Sequence, residues 1–166
     1  MKVRTLKCGK DQEIFLWEKR DRMIHLLPGE TIPADPEKGY RRISINRKET
    51  VSLPVGAEDK DSDGRKRWGG FFLLSCRLIS PRRFALSNGQ MLLQGQSGTE
   101  ILKRKLRRML GVEIRRMMLE TGRMERVNSC DSWKTIRTRA EETLLREGWK
   151  LTAFLPGTIQ SGGTQI

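Results

Sequence analysis

Between Ser97 and Gly122 apolar residues recur at helical spacing in the run SGTEILKRKLRRMLGVEIRRMMLETG. At about 100° per residue, Leu102, Leu106, Met109, Leu110, Ile114 and Met117 fall on one side. Arg104, Lys105, Arg107, Arg108, Arg115 and Arg116 fall on the other, with Lys103 at the border. Ser97 followed three residues later by Glu100 is a capping box: the serine oxygen accepts an orphan backbone N–H and the glutamate reaches back. Gly122 sits where a left-handed residue closes a helix. The spacing therefore predicts a helix over about 98–121. Glu113 interrupts its apolar side. Ile101, Val112 and Leu119 form a thin apolar line inside its basic side. Gly111 weakens the interior by about 1 kcal/mol relative to alanine and is expected to mark a kink or a close contact.

Upstream of this helix the patterning is that of strands. Val3–Lys7 is short, and Glu13–Lys19 and Met23–Leu27 flank the charged turn Arg20-Asp21-Arg22, as in a hairpin. Pro33, Asp35, Pro36 and Gly39 make 29–40 a loop. Arg41–Asn46 alternates Ile43 and Ile45 with polar residues. Thr50–Val55 is expected to pair with it as an edge strand, since Pro54 lacks a ladder donor. Glu58–Arg67 is so charged that it reads as a loop. Trp68–Ser80 is the most apolar run and the expected central strand. Phe84–Leu86 and Met91–Leu93 flank Asn88-Gly89, a strong hairpin signal. After the long helix, Arg123–Cys130 reads as a connector. Asp131 or Ser132 is expected to cap a second helix over about 132–147, with Trp133, Ile136, Ala140 and Leu144 on its inner face. Trp149–Leu155 is a final strand, and 156–166 reads as a flexible tail. The sum is an α+β fold, with residues 1–155 as a single domain: an antiparallel β-rich half over 1–94, then two helices and a last strand.

Composition adds a class of partner. The net charge is +13 and arginine outnumbers lysine by 21 to 12. Arginine binds phosphate in a bidentate fork and stacks on bases, so the bias suits a polyanion. Residues 100–126 hold nine basic and four acidic groups, the densest basic block. Most of the excess lies elsewhere, which describes a broadly basic surface. No apolar run approaches the ~20 residues of a membrane-spanning helix. Met1–Arg4 is not followed by an apolar stretch, so no secretory signal is expected.

Candidate chemistry is sparse. Asp59, Asp61 and Asp63 with Gly64 match the front half of a calcium loop, making them a weak cation candidate. Its back half fails: Gly70 stands where a bidentate glutamate belongs, and Arg65, Lys66 and Arg67 oppose a cation. Arg67–Leu73 places paired aromatics on a strand, as in sheets that stack RNA bases, but its glycines and aromatics do not follow that pattern. Alternation also turns one ring inward. His25, the one histidine, has no nucleophile context. Cys8, Cys76 and Cys130 are too scattered for a zinc site. Glu141 and Glu142 are adjacent and point about 100° apart on a helix, so they form no catalytic pair.

These observations imply a non-enzymatic basic binding or structural protein without cofactor or metal. Its expected partner is nucleic acid, RNA or a ribonucleoprotein, bound through backbone phosphates. The expected binding residues are Lys103, Arg104, Lys105, Arg107, Arg108, Arg115 and Arg116, supported by Arg82 and Arg83. The alternative is an assembly protein of the viral matrix type, which bridges an anionic membrane and a nucleocapsid through protein partners or self-association. A small enzyme ranks third. The expected location is the cytoplasm, with the nucleus and the inner membrane surface as alternatives.

Overall fold

A computed structural model describes residues 4–18, 22–34 and 39–162. The fold is α+β, with antiparallel sheets in the N-terminal part and, among the described residues, four helices that lie mostly C-terminal. Three sheets build the β part. Strands β1 (Thr5–Lys7) and β4 (Thr31–Pro33) pair as a two-stranded ribbon. Strands β2 (Gln12–Trp17), β3 (Met23–Leu26) and β5 (Arg41–Asn46) form a second sheet in the order β3-β2-β5. The third sheet has β6 (Thr50–Lys60) at one edge, β7 (Lys66–Leu78) in the centre, and β8 (Trp149–Pro156) and β9 (Gln160–Ser161) side by side along the other flank of β7.

The β2–β3 hairpin and the central position of β7 agree with the patterning. Val3 of the first expected strand, Lys19 at the end of the second, Arg20 and Asp21 of the expected turn, residues 35–38 of the expected loop and residues 163–166 of the expected tail lie outside the described residues. Strand β2 is buried on both faces. Phe15 joins Ile43 and Ile45 of β5 in the main core. Ile14 and Leu16 turn the other way, into a second core with Cys8, Leu26, Leu6 and Ile32.

Several expectations are corrected. Strand β5 pairs with β2, not with 50–55, and β6 belongs to another sheet. Residues 58–67 are not a loop: β6 and β7 run as a long ladder to Lys60↔Lys66, and only 61–65 turn. The Asn88-Gly89 hairpin is absent. Pro81–Leu93 is helix α1, with the Ser80 side chain accepting the Arg83 N–H and proline in the first turn. Proline is pre-shaped for that position. Part of 123–130 is a one-turn helix, α3 (Met124–Val127). Ser129 is the cap of α4 (Cys130–Arg146), displacing Asp131 and Ser132 from that role. Residues 156–162 are no free tail. Ile159 is buried, with its N–H donating to Asn128 Oδ1 and its carbonyl accepting from Asn128 Nδ2, both at 2.9 Å. Gly157 N–H donates to Phe71 O and Gly162 N–H to Arg67 O, each at 2.8 Å. A Cβ on Gly157 would collide with Phe71 O, and one on Gly162 with Lys66 O.

Helix α2 (Gly98–Thr121) forms as predicted. Ser97 Oγ accepts the Glu100 N–H at 3.1 Å, and Gly122 closes the helix at φ 64°. Leu102, Leu106, Leu110, Ile114 and Met117 are buried in the main core with Leu53, Val55 and Ala57 of β6. Gly111 leaves open space where a Cβ would sit, so neither a close contact nor a kink accounts for it.

Two glycine substitutions separate these environments. Gly148, after α4, has φ 82° and would place a Cβ 2.4 Å from Ser80 O. Gly148→Ala is expected to destabilise the fold by on the order of 3 kcal/mol. Gly111→Ala is expected to stabilise it by about 0.5–1 kcal/mol. Urea unfolding midpoints at constant slope measure both.

Candidate nucleic-acid interface

A cation is available to a polyanion only when its own fold has not already engaged it. The residues singled out from sequence divide on that criterion. Lys105 is engaged inside the molecule. Its Nζ donates to Asn88 Oδ1 at 2.7 Å and to Glu147 Oε1 at 2.5 Å. Asn88 Nδ2 in turn donates to Glu147 Oε2 at 2.6 Å and to Phe84 O at 3.0 Å. This knot joins α1, α2 and the end of α4. Asn88 is buried and breaks the helical dihedrals of α1 at φ −129°.

Arg116 is engaged in the same way. It donates to Glu113 at 2.8 Å and Glu120 at 2.7 Å, and those hydrogen bonds raise its already high pKa. Glu113, 8% exposed, also lies 3.4 Å from Arg139 of α4. The carboxylate that interrupts the apolar side of α2 is therefore the helix's electrostatic link to α4. Arg115 reaches Asp59 at 3.2 Å, and Lys103 sits 3.5 Å from Glu100.

Three α2 arginines have no carboxylate within ion-pair distance among the described residues. Arg104 donates to the neutral Gln96 amide at 3.0 Å. Arg107 Nε donates to Gly56 O at 3.1 Å on the free edge of β6, leaving its terminal nitrogens available. Arg108 is exposed and lines a shallow groove of about 360 Å3 between α2 and α4, which also holds Val112 and Arg146. Arg82 and Arg83 are exposed on the first turn of α1, and Arg83 donates to Leu145 O at 3.0 Å. Arg146 was missed from sequence, where it reads as an ordinary last-turn cation. Its place beside Arg108 depends on how α4 crosses α2.

The calcium-loop candidate comes apart in the fold. Asp59 lies in β6 with its carboxylate on Arg115. Asp61 Oδ1 accepts the backbone N–H groups of Asp63 at 3.0 Å and Arg65 at 2.8 Å, shaping the β6–β7 turn. Among the described residues no cluster of three or more metal-ligating side chains forms. His25 Nε2 sits 2.7 Å from buried Glu13, and its ring stacks on Phe15 at 4.4 Å. Glu141 and Glu142 pair with Arg137 at 3.6 Å and Arg139 at 3.1 Å. Burial, with a smaller contribution from the nearby Glu49 charge, pushes the Cys76 thiol up to about 12, and burial also raises Cys8. Cys130 is exposed.

Two measurements test this partition. Lys105→Met removes the cation from Glu147 and the donor from Asn88 Oδ1 and is expected to cost about 1–3 kcal/mol, whereas Arg108→Gln should stay within about 0.5 kcal/mol. Chemical denaturation compares them. A thiol-specific reagent at pH 8 is expected to modify Cys130 in the native protein, with Cys8 and Cys76 reacting only on unfolding, because the thiolate is the nucleophile. The folded Cys76 keeps its proton above the ordinary thiol value of 9.0 while the unfolded chain loses it. Its contribution to stability therefore falls as pH rises from there towards 12.

Compared with known proteins, the chain matches no family model and no curated protein sequence.

Proposed function

We propose that this is a non-enzymatic nucleic-acid-binding protein, with RNA or a ribonucleoprotein as its partner. In this reading it holds backbone phosphates on the arginine surface of α2. The observation that carries it is the set of guanidinium groups left without a carboxylate among the described residues: Arg104, Arg107 and Arg108 on α2, with Arg82 and Arg83 on α1 and Arg146 on α4. The net charge of +13 extends that potential over the surface. Such contacts neutralise and position; they do not read sequence. Lys105 and Arg116 play no part, because releasing either would take a cation away from a largely buried carboxylate, Glu147 or Glu113.

A second reading, the matrix-type protein at an anionic membrane, draws on Leu119 and Val112. These are 82% and 57% exposed on the solvent side of α2 beside its arginines. It ranks lower because the wide apolar face of α2, which an interfacial helix would insert, is committed to the core.

Phosphate binding makes affinity fall with salt, with a logarithmic slope of about −0.7 for each phosphate neutralised on a single strand. The double variant Arg104→Gln with Arg108→Gln is expected to weaken RNA binding and to flatten that slope by about 1.4. Fluorescence anisotropy between low and physiological salt reads both. An unchanged slope would remove α2 from the interface. Pelleting with anionic vesicles, but no RNA binding, would favour the membrane reading instead.

A further inference from the structure

The outer face of the third sheet carries a hollow that the arginine reading does not use. Strand alternation sends Phe72 into the core and Phe71 outward, where it is 58% exposed. Phe71 lies opposite Gly56 of β6, and the neighbouring outward pair on that face is Glu58 and Gly69. Two of those four positions are therefore bare backbone. The result is an open depression of about 600 Å3, floored by Gly56, with Phe71 on one wall, the Lys66 side chain lying over Gly69, and Arg107 and Gln160 around it. That volume lies within the roughly 300–1,000 Å3 of ordinary small-ligand sites. Its apolar wall continues into the Leu73↔Leu155 pair of β7 and β8, and Leu155 is 61% exposed.

An exposed ring on an open sheet, bare Gly56 backbone beside it and cations at the rim, with the Lys66 side chain lying over Gly69, together suit a planar group attached to an anion. Among the described residues Glu58 is the one acid lining the hollow. Lys60 at 2.9 Å and Lys66 at 3.2 Å hold it, keep its carboxyl below the usual range and leave the trio with a net positive charge. A second copy of this chain would bring the same excess of positive charge to the face, which opposes self-association there. Arg107 belongs to both regions: it lies on the α2 arginine surface and its guanidinium lines the hollow.

We infer that the Phe71 hollow seats an unpaired base of single-stranded nucleic acid, stacked on the Phe71 ring over the bare backbone of Gly56, while Arg107 takes the adjoining phosphate. The inference rests on the nucleic-acid reading and sharpens it, because a base inside a duplex cannot reach a ring on a sheet. The fold-back of residues 156–162 matters to the site. Gly157 and Gly162 let β8 and β9 lie close on β7, and this brings the Gln160 amide to the rim, in place to bond a base edge.

The test compares a fluorescein-labelled single-stranded 12-mer of RNA with its duplex at one salt concentration. Base stacking on an aromatic is worth roughly 5–150-fold per base when the ring is truncated. Phe71→Ala should weaken the single strand by that factor and leave the duplex unchanged. Gly56→Gln should do the same by filling the hollow, since a Cβ at Gly56 meets nothing within 4 Å. Phe71→Trp should retain binding and show indole quenching as the strand is added. Melting curves for each variant confirm that the fold is intact. If the wild type binds RNA but Phe71→Ala and Gly56→Gln match it on the single strand, the hollow is not a base seat and the phosphate reading stands alone. An equal loss on single strand and duplex, or a dimer of the wild type that Phe71→Ala dissolves, also overturns the inference. If no RNA binds at any salt, both readings fall together.

Discussion

The burial of one stripe of α2 against β6 is the contact on which the rest of the architecture depends. Leu102, Leu106, Leu110, Ile114 and Met117 share a core with Leu53, Val55 and Ala57. Each such side chain contributes about 1.5–3 kcal/mol when removed from water. The same packing fixes the rotation of the helix. Once the stripe faces the sheet, Arg104, Arg108 and Arg115 must face solvent, Arg107 must lie over the edge of β6, and Lys105 and Glu113 must turn towards α4. Hydrophobic packing therefore decides which cations are surface groups and which are structural ones.

That orientation divides a highly charged chain into two populations. One consists of largely buried acids: Glu113, held by Arg116 of its own helix and Arg139 of α4, and Glu147, held by Lys105 of α2. Burying such a carboxylate without its partners is expensive, so these contacts specify how α1, α2 and α4 meet. The other population is exposed arginine with neutral partners or with none among the described residues. It sits beside a sheet whose outer face no described helix covers. A basic rim and an open aromatic face thus meet at Arg107, because α2 runs along the β6 edge and not across the outer face.

Local signals were legible wherever neighbours in sequence settle the matter. The Ser97–Glu100 cap, the Gly122 stop, the period of α2, the Ile136, Ala140 and Leu144 stripe of α4 and the apolar run of β7 all depend on residues a few positions apart. Asn88-Gly89 shows where such signals compete. The dipeptide favours a hairpin, but Ser80-Pro81 starts a helix ahead of it. Asn88 then tolerates its distorted backbone by bonding Phe84, Glu147 and Lys105, the last two from other helices. Gly89 lies under the Trp17 ring, where a Cβ would come within 3.1 Å. In isolation the turn signal is strong; in the fold its residues serve a helix junction.

The sequence by itself determined the class of fold, the long basic helix and the excess of arginine over carboxylate, since periodicity, capping and composition need no distant partner. Only the tertiary structure decided which charges remain available. Whether Arg115 meets Asp59, Lys105 meets Glu147 or Arg108 stands beside Arg146 depends on elements brought together from far along the chain. The same holds for Phe71. Alternation guarantees that one of two adjacent rings turns away from the core, but only the packing of α2 and α4 on a single side of the sheet leaves that ring in solvent, opposite the bare backbone of Gly56.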